Sequence, residues 1–140
     1  MTLTQYILAI LPGLIICFYI IRSDKFEKEP MGALLLSFIL GTLLIIPVIG
    51  LGGLLEISSP KILATLFNCF ISVALVEEGL KLSIILLLFY QQPFFNEPFD
   101  GIIYAVMVGM GFATAENLIF AGNHPSAFYI QRAFTTEIAH

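Results

Sequence analysis

Charge is scarce in these 140 residues: Asp, Glu, Lys and Arg make up 11% of them, where a soluble domain carries about 25%. That scarcity excludes a water-soluble globular domain. With 59% of residues hydrophobic it also excludes a disordered chain, whose composition runs the other way. Basic residues number six against ten acids, so there is no basic surface for nucleic acid. Cys17 and Cys69 form no CxxC pair, which removes a thiolate zinc cage and a disulfide framework. The opening MTLTQ lacks both a basic residue and a small-residue cleavage site, so the first apolar segment reads as a retained anchor. Several catalytic signatures are missing too. There is no HExxH, no GxSxG elbow and no P-loop. Gly109-Met110-Gly111-Phe112 has Phe where the GxGD aspartyl proteases have Asp.

What the chain has is long apolar runs. A spanning helix needs about 20 mainly apolar residues. Segments 6–21, 31–55, 62–90 and 101–121 meet that need, and Arg22 stops the first. A fifth segment, 127–140, reaches the last residue. At ~1.5 Å per residue it is too short to cross a ~30 Å core. The expectation is an all-α polytopic transmembrane helical bundle in a lipid bilayer, with four complete spans plus the start of a fifth. It forms a single domain over 1–140 that is the N-terminal part of a longer one. Connector 22–30 holds three of the six basic residues, so the positive-inside rule places it in the cytoplasm and the N-terminus outside. Pro12 and Pro47 fall inside spans, which neighbouring membrane helices tolerate. Asp100 is expected to cap the fourth helix. Tyr104 with Phe94, Phe95 and Phe99 reads as an interfacial aromatic group.

Polarity inside the spans carries the functional information. The third span holds Glu77, Glu78 and Lys81 near its middle. Its seventeen Leu, Ile, Phe and Val residues favour insertion by about 5–10 kcal/mol, and three central charges cost about 7–10 kcal/mol. The near-zero balance calls for a partner helix, a wet cavity or neutralised carboxyls. Glu77 and Lys81 at i, i+4 are expected to pair. Glu78, turned ~100° away, then lacks a local cation and points toward the arc of Asn68, Ser72 and Gly79. In the fourth span Gly101, Ala105, Gly109 and Ala113 form a small-xxx-small stripe for close helix approach. Glu116 falls on that stripe with Phe112 beside it, and Asn117 or Lys81 is its available partner. Arg132, Thr136 and His140 share a face of the last segment, and His124 reads as a loop residue. Structural glue between helices is the plain alternative for each charge, although ionisable groups at this depth are functional by default.

Carboxylates, a lysine and a histidine inside a membrane suit water activation for hydrolysis or proton and ion movement. Val76-Glu77-Glu78-Gly79-Leu80-Lys81 resembles the EExxK motif of the PrsW family of intramembrane proteases. Gly111-Phe112-Ala113-Thr114-Ala115-Glu116-Asn117 resembles that family's GFAxxEN motif, and Asp100–Tyr104 the segment leading into it. Arg132 followed by His140 is similar to its Arg and the start of its third motif, and Asp24–Pro30 to its loop after the first helix. The family is in turn similar to CAAX prenyl-protease-type membrane enzymes, with a Glu-activated water as nucleophile.

The resemblance implies an intramembrane peptidase of a bacterial cytoplasmic membrane. Its partner would be a membrane-anchored protein substrate such as an anti-sigma factor, cut near its extracytoplasmic side. It also implies Glu77, Glu78, Glu116 and His140 as catalytic residues, with Lys81, Asn117 and Arg132 supporting. The family is classed with metallopeptidases. If a divalent metal such as zinc is bound, Glu78, Glu116 and His140 would hold it. Because the chain ends where the third motif begins, the resemblance implies that this stretch alone is inactive. The competing expectation is a proton- or ion-coupled transport component using the same acids. It would be favoured by paired repeats with broken helices, and none is evident. A non-catalytic scaffold is the third reading.

Overall fold

A computed structural model describes residues 3–24, 28–59 and 61–121. The expected fifth span 127–140, with His124, Arg132 and His140, lies outside the described residues. Helix α1 runs Leu3–Ser23, α2 Met31–Leu43, α3 Ile45–Leu55, α4 Ile62–Phe67, α5 Val76–Ile84 and α6 Pro98–Ala121. Two π-helical stretches, Asn68–Leu75 and Ile85–Phe89, flank α5, so the chain is helical without a break from Ile62 to Phe89. There is no strand among the described residues. Three stretches are long and apolar enough to cross a membrane: Tyr6–Ser23, Met31–Leu55 and Pro98–Ile119. The expected span 62–90 matches the mixed α and π helix that carries the three charges.

Several boundaries differ from expectation, each for a local reason. Arg22 does not stop α1, which continues to Ser23. A basic residue suits the last turn of a helix, where the carbonyls are unpaired. Pro12 does lie inside α1. Pro47 lies inside the Met31–Leu55 span, as expected, in the first turn of α3. Its missing N–H would have bonded to residue 43, so the chain turns at Leu44 and restarts, and the proline occupies a position whose N–H has no helical partner anyway. Helix α6 begins at Pro98, ahead of the expected Gly101. Proline is favoured in this first position. Asp100 therefore lies within the first turn rather than at the cap. Its Oδ2 accepts the backbone N–H groups of Asn96 (2.8 Å) and Glu97 (2.7 Å), as an acid in the third helical position does in a capping box.

Helix α6 is the centre of the bundle, packed most extensively on α2 and then on α1. One face joins Cys17, Leu34, Phe89, Ile103, Tyr104, Met107 and Met110 in a core. The other, with Val108 and Phe112, meets Leu44 and Val48, flanked by Val76, Leu80 and Ile84. The outer surface is Leu, Ile and Phe, as at Leu54, Ile62, Leu63 and Leu87, which suits lipid. The close approach of α2 to α6 rests on Gly41 and Gly111. A Cβ on Gly41 would lie 2.1 Å from the Val108 carbonyl oxygen, and one on Gly111 2.1 Å from that of Phe38. The expected stripe is thus only half right. Gly109 and Ala113 are buried, but Ala105 is exposed. The contact runs through Ser37 and Gly41 on one helix and Gly111 on the other, because neighbours surround α6 on more than one side.

Tyr104 is not interfacial: it is fully buried. Its ring stacks on Phe89 with centroids 4.7 Å apart and packs against Phe94 and Phe95. Its hydroxyl donates to the Glu29 carboxylate, tying the loop after α1 to α6. Burial pushes the Glu29 carboxyl above its ordinary range; the Tyr104 hydroxyl opposes this, and Asp100 and Asp24 add to it. A carboxyl that holds its proton more tightly when folded stabilises the fold fully at pH below its unfolded value. That contribution fades as pH rises through the raised value. Glu29→Gln keeps an acceptor for Tyr104 without the ionisation. Thermal unfolding in detergent from acid to neutral pH should show a smaller decline for this variant than for wild type. An identical decline in both would show that Glu29 does not titrate in this range.

Candidate functional site

The first motif falls on α5, between the two π stretches. A π turn widens the helix locally and recurs at functional sites. It also changes the angle per residue, so a uniform wheel does not carry from Asn68 and Ser72 to Glu78. The Asn68 side chain instead bonds both backbone groups of Ile57: its Oδ1 accepts the N–H (2.9 Å) and its Nδ2 donates to the carbonyl (3.0 Å). The Ser72 hydroxyl donates to the Leu55 carbonyl at 3.1 Å. Both pin the start of the charged helix to the end of α3.

Lys81 pairs at the i, i+3 spacing. Lys81 Nζ lies 2.7 Å from Glu78 Oε1, an i, i+3 pair, so Glu78 has a local cation after all. Both spacings bring side chains together on a helix. The pair is lopsided, with the Lys81 side chain 7% exposed and that of Glu78 66% exposed. Glu77 is half-buried. Burying a lysine in this way requires partners on more than one side. The second is aromatic: Lys81 Nζ stands 4.5 Å from the centroid of the Phe112 ring. A cation within about 6 Å of a ring face gains about 0.5–2 kcal/mol, most where water is excluded. Phe112 itself has no exposed surface.

That contact joins the two motifs. The chain reverses between α5 and α6, and the contacts Phe89–Tyr104 and Lys81–Phe112 share one register: eight residues back on one side, eight forward on the other. One further turn carries Glu77 to the level of Glu116. Glu116 is half-buried and the adjacent Asn117 is buried. Arg132 and His140 lie outside the described residues, so the geometry concerns Glu77, Glu78, Lys81, Glu116 and Asn117.

Two supports were not anticipated from the sequence. The Thr42 hydroxyl lies 3.0 Å from the Phe38 carbonyl and 3.1 Å from that of Gly111, linking α2 to the residue before Phe112. A threonine in an apolar span was the available signal, since hydroxyls there bond across helices. The π stretches left no signal in the pattern of side chains.

Comparison with known proteins agrees with the motifs. Residues 29–140 match the family model described as PrsW family intramembrane metalloprotease. The chain is 32% identical over 131 residues to Protease PrsW of Bacillus subtilis (strain 168), covering 94% of this chain and 60% of that protein. It is 34% identical over 113 residues to Protease PrsW of Geobacillus kaustophilus (strain HTA426), covering 78% and 48%. Protease PrsW of Clostridioides difficile (strain 630) is 35% identical over 122 residues, covering 86% and 51%. The chain therefore spans about half to three fifths of the length of these relatives. No solved structure matches it.

Proposed function

The chain belongs to the PrsW family of intramembrane metalloproteases, and from that premise we propose that it forms the catalytic half of a membrane-embedded peptidase. Its substrate is a membrane-anchored protein, with an anti-sigma factor as the reading the family resemblance favours. Its site is the bacterial cytoplasmic membrane, in keeping with its bacterial relatives. The observation that carries the proposal is Lys81, buried between the Glu78 carboxylate and the Phe112 ring. It ties the first motif to the second within one turn of Glu116.

In this reading a water sits between Glu116 and one carboxylate of the first motif, Glu77 or Glu78. One carboxylate takes its proton as it attacks the peptide carbonyl and returns that proton to the leaving amine. Lys81 is a positioning residue that holds Glu78 in place. Asn117 and Arg132 support the site, and His140 stabilises the oxyanion. The family description implies a metal. Among the described residues no three His, Cys, Asp or Glu side chains gather closely enough to hold one. They do not complete a metal site, and no step here runs through a metal.

The test is cleavage of a single-span substrate by the full chain, comparing wild type with Glu77→Ala, Glu78→Ala and Glu116→Ala. Equal cleavage in all four ends the proposal, as does proton flux in liposomes without cleavage. Lys81→Met separates position from insertion. A central lysine costs about 2.5–3.5 kcal/mol to insert, so the variant should insert as well as wild type or better. It should nonetheless cleave more slowly, with kcat lowered more than KM is raised, because Glu78 loses the partner that positions it. Unchanged cleavage would assign Lys81 to packing alone.

A further inference from the structure

A cavity of about 680 Å³ opens between α1, α2 and α6, walled by Leu14, Cys17, Phe18, Leu34, Phe38 and Met107 among others. That volume lies within the roughly 300–1,000 Å³ usual for ligand pockets. Its mouth holds Arg22, Lys28 and Asp24. Arg22 and Lys28 are exposed, and among the described residues neither forms an ion pair. The Arg22 guanidinium is held 5.4 Å over the Phe18 ring, at the top of the apolar wall. We propose that this groove binds a membrane phospholipid, with its phosphate at Arg22 and Lys28 and one acyl chain along the wall.

Depth selects the occupant. From Arg22 to Leu14 the α1 wall descends about 12 Å, and from Met31 to Phe38 the α2 wall descends about 10 Å, at ~1.5 Å per residue. Both stay within one leaflet, half of a ~30 Å hydrocarbon core. A lipid reaches from its headgroup through one leaflet, whereas a spanning helix would need a groove twice as long. Nor does the groove serve the carboxylate site. At ~100° per residue, Met107 and Phe112 lie about 140° apart around α6. The charged mouth lies in the connector that the positive-inside rule assigns to the cytoplasm. Basic pockets between helices on that side bind anionic headgroups. Asp24, buried at the mouth, limits how much negative charge the headgroup brings beyond its phosphate.

The experiment places a photo-reactive benzoylphenylalanine at Leu35, on the groove, and separately at Leu87, on the outer surface. The full chain is irradiated in vesicles of phosphatidylglycerol and phosphatidylethanolamine. The Leu35 probe should give an adduct of phospholipid mass. Arg22→Gln with Lys28→Gln should cut that adduct at least about tenfold, as expected from removing two cation–phosphate attractions, without changing labelling at Leu87. Arg22→Lys with Lys28→Arg should restore it. Three results would each overturn the proposal: an adduct with a peptide of this chain or of another protein, labelling at Leu35 unaffected by the double Gln variant, or equal competition by uncharged diacylglycerol.

Discussion

Glu78→Gln and Glu116→Gln are each expected to lower cleavage of a single-span substrate by about 10²–10⁴-fold, the range a positioned general acid or base contributes. Glutamine keeps the size and hydrogen-bonding reach of glutamate and cannot take a proton. The substitution therefore tests chemistry while leaving packing in place. If these acids were only glue between helices, each substitution would act on stability first. Glu78→Gln would take from the buried Lys81 the anion 2.7 Å away, and Glu116→Gln would take a half-buried charge from its partner; removing one member of such a contact destabilises. Measuring cleavage beside thermal stability separates the cases. Large losses of rate with small changes in stability support the peptidase, and stability changes that track the rate do not. The double variant should be little worse than either single one, since groups acting on one water are not additive.

The sequence made the membrane architecture legible because apolar length is a one-dimensional signal. Segments 31–55 and 101–121 fall on spanning helices with small shifts at their ends. The wheel arguments fared less well. They assume a uniform α turn, and Asn68–Leu75 and Ile85–Phe89 are π-helical, so an arc of Asn68, Ser72 and Gly79 drawn at ~100° per residue does not carry across the junction at Val76. The rule that joined Lys81 to Glu77 left Glu78 without a cation, yet a flexible lysine can reach three or four residues back, and its Nζ lies 2.7 Å from Glu78 Oε1. Tyr104 was misplaced because an aromatic near a helix end fits both a belt and a core. Only its stacking on Phe89 and its bond to Glu29 decide, and both partners are distant in sequence.

The second large effect is structural, and it concerns two glycines that the stripe reading passed over. Gly41→Ala and Gly111→Ala should each destabilise the bundle by about 1–3 kcal/mol or more, the cost of overpacking a close contact. In both cases the obstacle is backbone: the new Cβ would lie 2.1 Å from a carbonyl oxygen, of Val108 or of Phe38. Backbone cannot rotate away as a side chain can, so α2 and α6 must separate. Gly32→Ala is the matched control, since a Cβ there meets nothing within 4 Å, and it should be neutral or slightly stabilising because alanine favours helix. Combining Gly41→Ala with Gly111→Ala should cost less than the sum, because one separation of the helices relieves both contacts. Denaturation in mixed micelles reads all four proteins. Gly111 also precedes Phe112, whose ring receives Lys81, and Thr42 bonds to its carbonyl. A shift of α6 large enough to admit a methyl at Gly111 would therefore move the ring against which the lysine is held, and cleavage should fall further for Gly111→Ala than for Gly41→Ala at equal loss of stability. Equal stability for Gly32→Ala, Gly41→Ala and Gly111→Ala would show that α2 and α6 do not approach as closely as their backbones indicate.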